Sequence, residues 1–421
     1  MSKSKLFQLP KFTKKSRRAK QLKYTQNFYQ LFNLDPEEEE DRKKLDGDAI
    51  LKTIKRSPSS AKIRYNFKSG YRFPLHQAIM LRAPTNVIDA LSIPIALEDN
   101  GLFDALLNSA SLDIMKVFLE KQPEAIRDKN ECGDTPLLAS CWCGASLEVV
   151  TLLWKNWPDA LKEKNRLGNT PLYYACQYGT FDVVSFLLTR WPEAAKEKNN
   201  DGDTPLLAAC CGGASLEVVT LLWNSWPDAL KEKYRHENTP LHHACRYGTF
   251  DVVSFLLKRW PEAAKVENYE GDTPLDAACC GGGVLRPPSF EVVLLLLDSL
   301  LVGLGSQENT NKSDVESLRR CLDCYEENDG IKKLLFYVFA LFRNDNETFN
   351  NPTPKEILTF FNNIKWWNGV ALLIGKHPTV AKTMNLHTNT MAHFLSRIGC
   401  IGKLTAIWEI LSSEQDLLAG V

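Results

Sequence analysis

The sequence predicts an all-α solenoid of stacked helix–turn–helix units with short turn or hairpin tips. Three observations carry that prediction. Thr135–Asp203 and Thr204–Asp272 match at 53 of 69 positions without a gap. Thr-Pro-Leu opens at residues 135, 170, 204, 239 and 273, at spacings of 35, 34, 35 and 34. Each opening leads into a short apolar segment, a second apolar segment at helical spacing, and a polar turn. A fixed period of this length marks a repeat whose apolar face is buried only against its neighbours. Such arrays build long binding surfaces rather than deep catalytic pockets.

The unit at Thr239 shows how each element follows from its residues. The Thr239 hydroxyl is a helix cap. Pro240 suits the first helical position, where its missing N–H has no intrahelical partner anyway. Leu241, Ala244 and Cys245 form one apolar face, and Gly248 ends the first helix. Phe250–Lys258 is a second helix, with Val252, Val253, Phe255, Leu256 and Leu257 at helical spacing. Asn268–Asp272 is a polar turn leading to the next Thr-Pro-Leu.

Thr239-Pro240-Leu241-His242-His243-Ala244 reproduces Thr-Pro-Leu-His-x-Ala, and so resembles the helix opening of the ankyrin repeat. The resemblance is strong over about 101–302. It implies an ankyrin-repeat solenoid whose turn tips and first helices line a concave face that binds partners. One departure is regular. The second helices end in Gln122-Pro123, Trp157-Pro158, Trp191-Pro192, Trp226-Pro227 and Trp260-Pro261, where the family has Gly-Ala-Asp. Proline cannot continue a helix, so it stops each one without a glycine cap. The tryptophans are expected to pack between adjacent repeats. Trp154 and Trp223 are expected to pack on Trp157 and Trp226.

Along the chain, residues 1–65 read as a charged, flexible segment. Residues 1–34 carry nine Lys/Arg and no acid, whereas 35–48 are rich in Asp and Glu. The repeat array spans 66–302, opening at Phe73-Pro74-Leu75-His76-Gln77-Ala78, a degenerate form of the motif. Residues 303–330 read as a polar linker. Residues 331–421 read as degenerate helical repeats, including Asn389-Thr390-Met391-Ala392-His393, that close the array over the strongly apolar helix Phe290–Val302.

The chain has 421 residues, with 51 basic and 51 acidic side chains. That balance argues against a nucleic-acid or membrane binder, and no apolar run is long enough to span a bilayer. There is no signal peptide pattern, so an intracellular location, cytoplasmic or nuclear, is expected. Lys14–Lys20 is the stretch that would serve as a nuclear address. Cys141, Cys176, Cys210, Cys245 and Cys279 share one repeat phase and act as small buried hydrophobes. Cys321-x-x-Cys324 lacks a second pair at zinc spacing. Adjacent His242 and His243 point different ways on a helix. No catalytic set, cofactor site or metal site is expected, and no small-molecule substrate.

The informative comparison is internal. Sixteen positions differ between the two 69-residue copies, and thirteen of these lie in turns or first helices. Examples are Asn165/Tyr234, Leu167/His236, Gly168/Glu237, Tyr174/His243 and Gln177/Arg246. Exposed second-helix positions such as Glu148/Glu217 are unchanged, so diversification for recognition explains the pattern better than drift. In the first copy the partner-binding candidates are Trp142, Arg166, Leu167, Gln177, Tyr178, Asn200 and Asp201. In the second they are Tyr234, Arg235, His236, Arg246, Tyr247, Tyr269 and Glu270. Tyr, Trp and Arg are the residues that anchor protein interfaces, so the expected partner is another protein. Two other readings compete: a nuclear adaptor using the basic tail, and a substrate receptor with an effector domain at 303–421.

Overall fold

From residue 135 to residue 273 a threonine opens each first helix, and its hydroxyl closes the first turn. The computed structural model describes residues 24–98, 101–234, 236–280, 289–304, 312–323, 329–342, 352–377 and 380. In it the Thr135, Thr170 and Thr204 hydroxyls accept from the backbone N–H groups of Leu138 (3.3 Å), Tyr173 (3.2 Å) and Leu207 (3.2 Å). Proline follows at the first helical position in every case. The second helices end on the tryptophan, and the proline then starts a 3-10 turn, as in Pro158–Lys162 and Pro227–Lys231. Each 3-10 turn buries an apolar pair such as Ala160 and Leu161. The Trp-Pro departure therefore replaces a glycine cap with an extra element that has its own core contacts.

The chain divides into two units, Met1–Ala194 and Ala195–Val421. The first contains the helix pairs Pro74–Met80 with Thr85–Leu91, Gly101–Leu107 with Leu112–Lys121, Pro136–Trp142 with Leu147–Asn156, and Pro171–Tyr178 with Phe181–Arg190. First helices stack on first helices and second on second. Ahead of them, residues 24–32 are helical, and a hairpin pairs Tyr65–Phe67 with Gly70–Arg72. Phe28, Phe32 and Ile50 are fully buried, and Tyr29 stacks on Tyr65 and Phe67 at 6.1 and 5.8 Å. The Gln77 amide donates to the carbonyls of Phe32 (3.1 Å) and Leu34 (3.0 Å). Residues 24–65 are thus folded, which corrects the flexible reading of 1–65 over that range. Aromatic residues between the charge blocks find a hairpin to pack against, which charge counting alone misses.

The second unit contains Pro205–Gly212 with Leu216–Ser225, Pro240–Tyr247 with Phe250–Arg259, and Pro274–Cys280 with Phe290–Leu304. Lys312–Asp323, inside the stretch read as a linker, is a helix stacked on Pro274–Cys280. It docks through a polar cluster as well as through the buried Leu318 and Cys321. The Asp276 carboxylate is buried and accepts from Thr273 N (2.8 Å), Thr273 Oγ1 (2.8 Å), Ser317 Oγ (2.7 Å) and Arg320 Nη2 (3.1 Å). Asp329–Phe342 and Trp367–Lys376 lie against Phe290–Leu304, whose Val292, Val293, Leu296 and Leu297 are buried. Trp366 Nε1 donates to Asp298 Oδ1 at 2.5 Å. Asn389–His393 and the rest of 381–421 lie outside the described residues.

On the outer side of the second helices, Trp154 and Trp223 do not pack on Trp157 and Trp226 as expected. Trp154 meets Phe186 of the next second helix edge-on at 5.4 Å, and Arg190 lies 4.7 Å above its ring. Trp223, Phe255 and Arg259 repeat the arrangement at 5.6 and 4.5 Å. The helix repeat places residue 154 opposite the neighbouring helix rather than over its own C-terminus. Trp157 is buried under Arg127 at 5.3 Å.

The turn tips share one construction. An asparagine side-chain oxygen accepts two backbone N–H groups further along the turn, as Asn165 does from Leu167 (3.0 Å) and Asn169 (2.9 Å). A residue with positive φ follows three positions later: Gly133 at 81°, Gly168 at 79°, Gly202 at 87° and Gly271 at 80°. In the fourth turn Tyr234 replaces the asparagine and Glu237 replaces the glycine, yet φ at Glu237 is still 58°. A side chain held there costs about 1–2 kcal/mol. Its exposed pair with Lys233 (3.2 Å) recovers little of that.

Two predictions follow from these contacts. Glu237→Gly should raise the urea midpoint, by roughly 1 kcal/mol in stability; a lower midpoint would show that the Lys233 pair outweighs the strain. Arg320→Met should cost about 3 kcal/mol, because it leaves the Asp276 carboxylate buried without its cation. The exposed Arg319, paired with Glu316 at 3.6 Å, serves as the control, since Arg319→Met should leave the midpoint nearly unchanged.

Candidate partner-binding surface

In the first unit the candidates gather around the ends of the first helices. Trp142 and Tyr178 meet edge-on at 6.5 Å, and each keeps about half its surface exposed, at 48% and 50%. Leu167 is exposed at the neighbouring tip. The Arg166 N–H donates to the Cys132 carbonyl at 3.1 Å, which ties two consecutive turns together while the Arg166 side chain stays exposed. Gln177 is half-buried. Beneath them Asn165 Nδ2 donates to Asp134 Oδ1 (2.8 Å) and to the Tyr174 hydroxyl (2.9 Å). These two buried bonds tie the turn to the first helix beneath the surface.

In the second unit Asn200 and Asp201 are exposed at their tip. Tyr269 is 82% exposed, and its N–H donates to the His236 carbonyl at 2.9 Å, the same link between turns. Tyr234, His236, Arg246 and Glu270 converge on one open pocket of about 340 Å³. Arg246 lies over the Tyr247 ring at 5.3 Å. Arg235 lies outside the described residues. Tyr234 is half-buried, not exposed as expected, because its ring turns in against His243 at 5.3 Å. Burial pushes its hydroxyl pKa up, against the opposing effect of a hydrogen bond with Asn238.

Sequence reasoning left the two histidines out of the candidate set. His242 Nδ1 accepts from Thr239 N at 3.1 Å, which places its proton on Nε2, facing the Asp272 carbonyl at 3.1 Å. It closes the helix cap. His243 points elsewhere, between Tyr234 and Tyr247, the latter stacked at 6.3 Å. Neither ring nitrogen of His243 has a hydrogen-bond partner among the described residues. Burial, with the charges of His242 and Arg246 beside it, lowers the His243 pKa to about 4. The signal was present, since 173/242 and 174/243 are among the sixteen differing positions. The argument that adjacent residues diverge was correct, but both still line one pocket.

The cysteines carry no such chemistry. Cys141, Cys176, Cys210 and Cys279 are buried, and burial pushes the Cys141 thiol up to about 12. Cys245 is only half-buried. Among the described residues no group of three or more His, Cys, Asp or Glu side chains could hold a metal ion, and no helix is long and apolar enough to cross a membrane.

Comparison with known proteins agrees with this architecture. The family model described as ankyrin repeats (3 copies) matches residues 102–200, 146–229, 189–259 and 215–306. Residues 102–306 are therefore ankyrin repeats, and the chain is an ankyrin-repeat solenoid over that span. Repeats of this family generally mediate protein–protein interaction. Comparison with curated proteins yields no match. Among solved structures, one that is similar is titled as the predatory endopeptidase Bd0816 from Bdellovibrio bacteriovorus in complex with immunity protein Bd3460. It is 24% identical, covers 42% of this chain and 89% of that chain, and has a TM-score of 0.36.

The His243 environment predicts a pH dependence. Its pKa is about 4 in the fold, against 6.5 ordinarily. Above pH 6.5 neither state binds the proton, and stability is intact. As pH falls from 6.5 towards 4, the unfolded chain takes up the proton first and stability is lost. The slope is at most ~1.4 kcal/mol per pH unit. His243→Tyr, the residue of the first copy, should therefore lose less stability than wild type between pH 7 and 5. Urea midpoints of both proteins at the two pH values test this, and equal losses would remove His243 from the account.

Proposed function

We propose that this protein is a non-enzymatic scaffold that binds another protein through the concave face formed by its turn tips and first helices. The observation that carries the reading is where the two 69-residue copies diverge: thirteen of sixteen differences lie on those elements. Half-exposed Trp142 and Tyr178, and Tyr269 almost wholly exposed, support it. Large aromatic side chains held at a surface are the usual anchors of protein interfaces. The family as a whole is generally non-enzymatic.

The two competing readings have less support. The basic tail needed for a nuclear adaptor lies outside the described residues. An effector domain at 303–421 is disfavoured by the stacking of Lys312–Asp323 and Asp329–Phe342 on the preceding helix pair, in the manner of another repeat. The domain scheme that goes with our reading places the array at 66–302 and assigns 331–421 as degenerate repeats closing it.

An alanine panel tests the surface, with the partner obtained by affinity capture from native extract. Trp142→Ala, Arg166→Ala, Tyr178→Ala, Arg246→Ala and Tyr269→Ala should leave the thermal midpoint nearly unchanged. At least one should weaken binding about thirtyfold, or ~2 kcal/mol. Trp157→Ala, where the ring is buried, should lower stability first. Normal binding by every surface variant, with loss on Trp154→Ala or Trp223→Ala, would move the interface to the outer face.

A further inference from the structure

The divergence between the two copies is concentrated more sharply than an interface alone requires. Of the eleven residues lining the pocket in the second unit, nine fall within Thr204–Asp272. Six of those nine are positions where the copies differ: Tyr234, His236, His242, His243, Arg246 and Glu270. Across the whole copy only sixteen of 69 positions differ. Drift spread over tolerant surface positions would not gather around one cavity.

The same changes remove local stability. In the first copy Asn165 holds the turn and binds both Asp134 and Tyr174. In the second copy Tyr234 and His243 stand at those two positions. The turn loses its asparagine bonds and forces Glu237 to positive φ. The ring nitrogens of His243 lie out of solvent without partners among the described residues. A buried polar group left unbonded costs roughly 1–3 kcal/mol. Breaches of local rules that cluster at one place are the mark of a functional site.

The walls define the guest. Glu270, Asp272 and Asp276 are among the pocket's lining residues. Arg320 answers Asp276 at 3.1 Å and stands 3.8 Å from Asp272. Among the described residues one carboxylate charge remains in excess even after Arg246 is counted, and Arg246 is exposed and lies over Tyr247. The Tyr234 and His243 rings line the pocket as well, 5.3 Å apart. Carboxylates and aromatic rings lining one cavity suit a planar cation that can donate hydrogen bonds and stack at once. We infer that this pocket is a binding site for a guanidinium group, the arginine side chain of a protein partner.

The inference rests on the concave-face reading and names the chemistry one part of that face recognises. Its test needs no partner, so the two can fail separately. The full-length chain, labelled with 13C-histidine, is titrated with N-acetyl-L-arginine amide, with N-acetyl-L-glutamate amide and with free L-arginine. The arginine amide should shift the His243 ring signals saturably, and the glutamate amide should not. Glu270→Gln combined with Asp272→Asn should weaken the arginine response about tenfold or more. Tyr234→Asn combined with His243→Tyr restores the residues of the first copy, and should raise the urea midpoint while abolishing protection of the pocket by the arginine amide in thermal unfolding. That pair guards against loss of binding through misfolding. No saturable shift, an equal response to the glutamate amide, or an unaffected carboxylate variant overturns the assignment. Free arginine binding more than about tenfold tighter than its blocked form would overturn the protein source, since recognition would then need the free amino-acid backbone.

Discussion

A helix pair of this size cannot bury its own apolar surface, and every other feature of the chain answers that constraint. The first helix Pro136–Trp142 has only seven residues, too short to be stable alone in water. It persists because Leu137, Leu138 and Cys141 are buried against neighbouring helices. The threonine cap and proline start set where each helix begins, so that successive apolar faces stay in phase. The Trp-Pro ending sets where the second helix stops and adds a 3-10 turn to the core. Once these boundaries are repeated at a constant period, the turns are carried to one edge, where they are held by links such as Arg166 N to the Cys132 carbonyl.

That arrangement frees the turns and first-helix ends to vary. The first copy uses its turn conventionally, with an asparagine, a glycine and a buried Asn165 that bonds both Asp134 and Tyr174. The second lacks all three at the corresponding turn, where Tyr234 and His243 line the pocket. The repeat can tolerate this because the stacking energy comes from positions that did not change, such as Val218, Val219 and Leu222, all buried. Stability of the frame and specialisation of the edge are thus supplied by different residues of one unit.

Other features follow from long-range polar contacts. Asp276 occupies the motif position filled by His242 one repeat earlier. Both close a threonine cap, but the carboxylate also gathers Ser317 and Arg320 and so holds a further helix. A histidine there could not draw in the arginine. The helix at 312–323 is held by that charge together with the buried Leu318 and Cys321, and a polar contact of this kind leaves no periodic trace in the sequence.

The class of the molecule, the repeat period and the helix starts and stops follow from the residues alone. These are legible because they are local: a cap, a proline or a glycine acts within a few residues of itself. The sequence also located the variable elements, by comparing one copy with the other. Tertiary structure alone decided which variable residues meet. Tyr234 and His243 are nine positions apart and turn towards one another, while Asp272 and Asp276 arrive from the following turn and helix. It likewise decided that Trp154 packs on Phe186, and that Phe28 and Phe32 fold against the hairpin. Side-chain direction and stacking between repeats set these contacts, and neither is written in the spacing of residues along the chain.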